Sequence, residues 1–377
     1  MSPAPLHLVP LTRQVTDLRR FWSVAFTTSG RHPLWVAPLF DEFRAVLGPD
    51  NPFWRRAEAA LWVASRGGAD VGRLAAIHDP EHARIHGGRT GFFGFFESVP
   101  DPIVAQLLMD AALGWLRARG LSTVQGPFSP NINEECGLLV EGFDESPSLL
   151  TVHNPPGYPV LLEGLGLRPA KDLVAFEIRL ADSPASRLNR FREAVRRRSR
   201  VHWRPLTRRS LAADLPAIRR IYNEAWERNW GAIPMNPGEL DFLVARLRPL
   251  LVDGLAWLAE CDGEPAGLLV SLPDLNPQLR PLRGRLLTPH ALEALPYLLG
   301  WRHPEQFRLL VLGVRERFRG RGIEAALFAE TLQRARQLGY RRCEASWVLE
   351  DNEPVHRLAA LFQGRIHRRF RIYQRDL

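Results

Sequence analysis

Four arginines alternate with other residues, and two glycines close the run, in one short stretch between an apolar segment and a helix-forming one. It reads Phe307-Arg-Leu-Leu-Val-Leu-Gly-Val314, then Arg315-Glu-Arg-Phe-Arg-Gly-Arg-Gly322, then Ile323-Glu-Ala-Ala-Leu-Phe-Ala-Glu330. The pattern predicts a buried strand, a tight loop and a helix over Ile323–Leu338. Free N–H groups at a helix start, with the positive end of its dipole, bind anions. Gly320 and Gly322 let the main chain approach a phosphate, and Arg317, Arg319 and Arg321 add charged donors. Neither better-known phosphate loop fits. A Walker A loop ends in Gly-Lys-Ser/Thr, and the dinucleotide fingerprint needs three spaced glycines. The chemistry in view is therefore the holding of a diphosphate. A general base for an amine nucleophile would come from the next strand and its mouth. Glu344 and Ser346 share a strand face there, and Glu350, Asp351 and His356 come after them. Each of these, taken singly, also suits a solvated residue.

The elements that must position this loop recur in the chain. Leu61–Ser65 and Val71–His78 read as a hairpin, as do Ala256–Glu260 and Ala266–Leu272. Gly91–Glu97 and Phe307–Val314 are strands, each leading into a helix, Pro102–Arg119 and Ile323–Leu338. Each helix stops at a glycine, Gly120 or Gly339, suited to a left-handed cap. Further strands come next, at Ser122–Gln125 and Arg342–Val348. The order predicts two copies of one α/β (α+β) unit. Between them, Ser186–Arg204 reads as a basic helix with Leu188, Phe191 and Val195 on one face. The expected division is residues 1–180, a connecting helix at 181–204, and residues 205–377.

Bulk properties agree with two soluble domains. The chain has 377 residues, 45% hydrophobic and 24% charged, with a net charge of +9. Nearly all the excess is arginine, Lys171 being the single lysine. A basic surface of this kind fits a phosphorylated cofactor, nucleic acid or an anionic membrane, and equally a coding bias toward arginine. No apolar stretch approaches the roughly 20 residues needed to span a bilayer. The N-terminus has no basic start followed by an apolar block, and Cys136, Cys261 and Cys343 are scattered, which fits a cytoplasmic protein. No metal-like cluster is present in the sequence.

Arg319-Gly-Arg-Gly322-Ile-Glu324 resembles motif A of the GNAT acetyltransferases, Arg/Gln-x-x-Gly-x-Gly/Ala, with Glu324 departing at the last position. The order after it, a strand, Asn352, a helix at Pro354–Phe362, Gly364 and a last strand at Arg365–Tyr373, resembles the same family. The resemblance implies two GNAT-like domains, each a mixed, mostly antiparallel sheet flanked by helices. The N-terminal copy lacks motif A and is degenerate, although Asn154 and Tyr158 resemble a family helix. It also implies acetyl-CoA or another acyl-CoA as acyl donor. Leu312, Gly313 and Val314 would bind its pantetheine arm. Arg317, Arg319, Gly320, Arg321, Gly322, Ile323 and Glu324 would face its pyrophosphate. Glu344, Glu350 and Asn352 are the catalytic candidates, and the family's acidic tyrosine position is occupied by Ala359. Trp226, Asn229 and Trp230, with the tryptophans at i, i+4 of a helix, and Asp274 and Asn276 after the third strand, are the acceptor candidates. The leading expectation is an N-acyltransferase acting on a small-molecule amine acceptor. The alternatives are an aminoacyl-tRNA-dependent transferase of the Fem type, with tRNA as partner, and a non-catalytic acyl-CoA-binding protein.

Overall fold

The computed structural model describes residues 4–183, 185–227 and 229–377, without the side chains of residues 185–187, 198 and 199. The chain forms two units. One comprises residues 1–173, 279–291 and 368–377, and the other 174–278 and 292–367. The units are thus not consecutive stretches: the ninth strand enters the second unit at Val174, and the last strand returns to the first at Arg368.

The first unit holds β1 (Leu6–Leu11), α1 (Val15–Ser23), α2 (Phe40–Leu47), β2 (Glu58–Arg66), β3 (Ala69–His78), α3 (Pro80–His86), β4 (Thr90–Ser98) and α4 (Pro102–Arg117). Next come β5 (Thr123–Gly126), β6 (Phe128–Ser129), β7 (Glu135–Cys136), β8 (Leu138–Glu141), α5 (Tyr158–Gly164) and the start of β9 (Arg168–Arg179). β1 to β4 pair antiparallel in sequence order, and β4 pairs parallel with β5 only over Thr90–Phe92. Helix α4 begins at a proline behind Asp101, whose carboxylate accepts from the N–H of Ile103 at 2.9 Å. Its apolar face, Val104, Leu108, Ala112 and Leu116, is fully buried against Leu74, Ala76 and Phe93.

The second unit continues with α6 (Ala185–Ser199), β10 (Val201–Pro205), α7 (Leu211–Trp226), α8 (Pro237–Leu247), β11 (Ala256–Cys261), β12 (Glu264–Pro273) and α9 (Asn276–Leu279). Then come α10 (Ala291–Leu298), β13 (Gln306–Val314), α11 (Ile323–Gln337), β14 (Arg342–Leu349), α12 (Glu353–Leu361) and the start of β15 (Arg365–Asp376). Strands β10 to β13 are antiparallel neighbours in order, and β14 lies parallel to β13. Alternate residues face opposite ways. Ala259, Leu269 and Val314 pack with α11, while Leu258, Leu268 and Val311 pack with Ile218 and Ile221 of α7.

Two expectations are corrected. The basic helix does not run to Arg204: it ends at Ser199, and Val201–Pro205 is a strand. The alternation Val-His-Trp-Arg exposes every second residue, so Val201 and Trp203 are buried while the edge pairs with β11. The tryptophans do not share a helical face. Helix α7 stops at Trp226, and Asn229 and Trp230 lie in the turns beyond it.

The loop end of β13 is tied to α7 by charge. Arg315, 3% exposed, donates to Glu224 at 2.6 Å and to the Pro265 carbonyl at 2.7 Å. The Arg315 hydrogen bond holds the Glu224 carboxyl below its ordinary pKa. This contribution is present above the ordinary carboxylate range and is lost as pH falls through the lowered value. Glu224 is itself partly exposed, so solvent screens much of the pair. Glu224→Ala is expected to destabilise the second unit by about 1 kcal/mol at neutral pH and by less in acid. Urea unfolding at both pH values measures it, and an equal loss at the two would contradict the assignment.

Candidate functional site

Two parallel strands at the centre of the second unit part company. β13 and β14 pair only from Gln306–Leu309 to Arg342–Ala345, although β13 runs on to Val314 and β14 to Leu349. The cause lies on the other edge of β13. Val311 pairs with Val270 and Leu309 with Ser271, so Leu310 is an extra residue in the ladder. Such a bulge bends its strand and re-aims the residues beyond it. From Leu310 to Val314, among the described residues, β13 has β12 on one edge and no strand on the other.

The Arg/Gly loop stands at the open end. Gly320 (φ 76°) and Gly322 (φ 77°) both take left-handed conformations, which a side chain resists. A Cβ on Gly320 would meet nothing within 4 Å, so the main chain there is open. On Gly322 it would come 3.2 Å from Val195, because α6 packs beneath the turn. Gly322 caps α11 without any side-chain hydrogen bond, which leaves first-turn N–H groups for an anion. The residues thus fit a diphosphate.

The arginines are differently employed. Arg319 donates to the carbonyls of Val314 (3.2 Å) and Ala225 (3.0 Å), and Arg317 pairs with Glu264. Arg321 reaches the Cys261 sulfur at 3.4 Å. Arg315, Arg317 and Arg321 surround the Phe318 ring, with guanidinium carbons 4.6–5.6 Å from its centroid. They build the turn. Glu324 is half-buried in the first turn of α11, and burial raises its carboxyl pKa, with its own N–H and Arg319 opposing.

On the α7 side of the sheet, the outer edge of an indole lies against β13: a Cβ on Gly313 would fall 2.4 Å from two Trp226 ring atoms. Trp226 stacks on Tyr222 at 4.8 Å between centroids. Cys343 and Ala345 belong to the core beneath α11, so Glu344 and Ser346 point the other way, toward the α7 face. Glu344 is 1% exposed. It accepts from the Ser346 hydroxyl at 2.8 Å and lies 3.2 Å from His367 Nε2. Arg308, opposite Glu344 in the strand register and 2% exposed, donates to Ser346 Oγ at 3.0 Å and stacks on Trp347. Arg308 and His367 do not stand out in the sequence: one looks like a break in a hydrophobic strand, the other like a residue of a basic tail. A charge inside an otherwise apolar strand is the signal that points to Arg308.

Other candidates have structural employment. Asn352 caps α12, its side chain accepting from the N–H of Val355 at 3.4 Å. Glu350 is exposed at the turn between β14 and that helix. Asp274 accepts from the N–H of Asn276 at 3.1 Å and from Gln306 at 3.2 Å, closing the end of β12. Asn229 and Trp230 are half-buried. Leu312, Val314 and Ile323 belong to the packing beneath α11 through their side chains, and the Val314 carbonyl is taken by Arg319.

The first unit repeats the arrangement but fills its gap. β4 and β5 part after Phe92, and β4 bulges around Phe95 (φ 53°). Here β6 lies against the parted strand. The Phe128 carbonyl would be 1.5 Å from a Cβ on Gly94, and Phe95 N–H donates to Ser129 Oγ at 3.1 Å. Tyr158 donates to Glu97 at 2.7 Å, and Asn154 bonds both ends of Leu139. Both resembling residues are thus tied into the unit's own interior.

A family model described as the acetyltransferase (GNAT) family matches residues 215–364. A bacterial ceramide synthase of Caulobacter vibrioides is 35% identical over 99% of this chain and 98% of its own length. Protein YghO of Escherichia coli is 32% identical, covering 96% of this chain and 93% of its own. Among solved structures, a tandem GNAT protein from the clavulanic acid biosynthesis pathway superposes with a TM-score of 0.61 at 13% identity, over 99% of this chain and 98% of that one.

Glu324 sets a test of the loop. Neutral below its raised pKa, its carboxyl charges as pH rises, and a charge there opposes an incoming diphosphate. CoA affinity is expected to fall with rising pH, and Glu324→Gln to remove that fall and tighten binding about fivefold at alkaline pH. Titration calorimetry reads both, and identical pH profiles for the two proteins would refute the placement. Fold, family model and two relatives matching end to end agree: the chain belongs to the GNAT family of acyltransferases.

Proposed function

We propose that this protein is an N-acyltransferase that joins a fatty acyl group from acyl-CoA to the primary amine of a long-chain amino alcohol. The observation that carries the acyl-CoA half is the parting of β13 and β14 with the glycine turn at the open end. The acceptor half rests on the relative named a bacterial ceramide synthase, which matches over nearly its whole length. Ceramides are amides of such amines.

Acyl-CoA supplies the activated carbonyl carbon and the leaving thiol. The open edge of β13 from Leu310 to Gly313 would hold the pantetheine amides, and the N–H groups from Gly320 to Ile323 would hold the diphosphate. The amine approaches from the α7 face, where Trp226 and Tyr222 give an apolar wall. Its nitrogen forms the C–N bond as the C–S bond breaks, and its proton passes to Glu344. Ser346 and Arg308 hold that carboxylate in place, and the proton returns to the departing thiolate. Ala359 and Asn352 take no part in the proton transfer. The basic helix α6 is tied to its own unit: Arg192 pairs with Glu330 of α11 at 2.5 Å, and Arg196 stacks on Trp203 of β10.

Free-thiol release from palmitoyl-CoA in the presence of sphinganine tests this reading. The expected result is amide formation, with short polar amines giving far less. Glu344→Gln is expected to lower kcat by on the order of 10² to 10⁴ with little change in the affinity for CoA. CoA binding without amide formation from any long-chain amine would overturn the acceptor, and an unchanged kcat in the variant would overturn Glu344.

A further inference from the structure

Exposed large apolar side chains are unevenly spread over this protein. Val15, Ile103, Val160 and Ile366 stand apart along the chain, but Leu286, Leu287, Leu292, Leu295, Leu299 and Trp301 all fall between residues 286 and 301. Within the second unit, α10 is built inside out. Ala294 is buried at 1% exposure, while Leu292 (76%), Leu295 (42%) and Leu299 (47%) face solvent. Their i, i+3, i+7 spacing puts them on one helical face. A helix on a soluble surface turns such a face inward.

The end of α10 fixes a tryptophan beside these leucines. Gly300 adopts φ 73°, its N–H donates to the Tyr297 carbonyl at 3.0 Å, and the Trp301 N–H donates to Pro296 at 2.8 Å. This is a Schellman closure, which holds the residue after the glycine in one place. Trp301 is 75% exposed there. Arg302 is next, exposed and without an ion pair among the described residues. Glu305, the nearest acid after it, pairs with Arg341 at 3.5 Å.

We propose that α10 and Trp301 dock this protein on a bilayer that carries anionic phospholipid. Leu292, Leu295, Leu299 and Trp301 enter the boundary between headgroups and acyl chains, and Arg302 meets the phosphates. An amphipathic helix with an aromatic at its edge and cationic residues at its rim is the form that lies in a membrane interface. Self-association through the same face is the other occupant, which the test separates, because the exposed Glu293 of α10 could meet Arg302 of a second copy. The inference stands without the proposed reaction. It gives that reaction a setting, because a long-chain amine and its amide reside in bilayers.

The test is co-sedimentation of the full-length protein with vesicles of phosphatidylglycerol and phosphatidylcholine, against phosphatidylcholine alone, at low and high salt. Wild type is expected to bind the mixed vesicles at least about fivefold more tightly, the effect of one arginine near an anionic surface, and to release in salt. Leu292→Gln with Trp301→Ala is expected to lower binding about tenfold or more without moving the thermal unfolding midpoint. Arg302→Glu should remove the preference for anionic lipid. Absence of wild-type protein from every vesicle pellet would overturn the proposal, as would equal pelleting of the double variant. So would a concentration-dependent dimer in sedimentation velocity that the double variant abolishes without any lipid binding, which would assign the face to a second copy.

Discussion

A single surplus residue in a β-ladder governs the second unit. Leu310 has no partner on β12, and from that point β13 bends away from β14. Two parallel strands that separate inside a sheet leave main-chain donors and acceptors unpaired, which a folded protein tolerates only where something else pairs with them. The first unit offers the comparison within one molecule. Its strands β4 and β5 part in the same way, and the chain's own Phe128–Ser129 lies against the gap. In one copy Ser129 bonds the parted strand at Phe95, and in the other, among the described residues, no strand lies beside it. On the proposed reading, the two copies differ less in a catalytic group than in what lies beside the parted strand.

Charge is distributed in a way that composition conceals. A net charge of +9 suggests a cationic exterior, yet Arg73, Arg308, Arg315 and Arg368 are each at most 5% exposed. Arg315 anchors β13 to α7, and Arg308 braces Ser346 beside Glu344. Arginine suits these places because its planar fork bonds carbonyls and carboxylates in fixed directions and stays charged when buried. Part of the basic excess is therefore internal framework, and it says nothing about nucleic acid.

The strands and long helices were legible because their signals are local. The hairpins around Gly67-Gly68 and Asp262-Gly263, and the glycine stops at Gly120 and Gly339, follow from turn chemistry, and every one of these glycines adopts positive φ. Where pattern failed, a longer-range pairing decided. Ser186–Arg204 looks uniformly basic, but Val201–Pro205 became a strand because β11 was there to receive it. Trp226 and Trp230 fit one helical face in sequence, but the helix ends between them. The site divides likewise. Glu344 and the glycine turn are visible from residue type and spacing. Arg308 and His367 meet Glu344 only through register and the return of the last strand, which no single stretch of sequence encodes.

The roles of the loop arginines come from the same division. Arg319 and Arg317 spend their donors on Val314, Ala225 and Glu264, so the turn keeps its shape without an anion present. On the proposed reading, recognition would fall to backbone N–H groups whose direction is fixed in advance, with little ordering cost left when a diphosphate arrives. Side-chain arginines free to swing would bind the anion more by charge and less by shape, and they would accept many phosphates equally. A preformed main-chain cradle limits the choice to ligands whose phosphates sit at the right distance from a strand edge. That constraint, set by the bulge at Leu310 on one side and the left-handed glycines on the other, is what would couple the proposed diphosphate binding to the placement of whatever lies along β13.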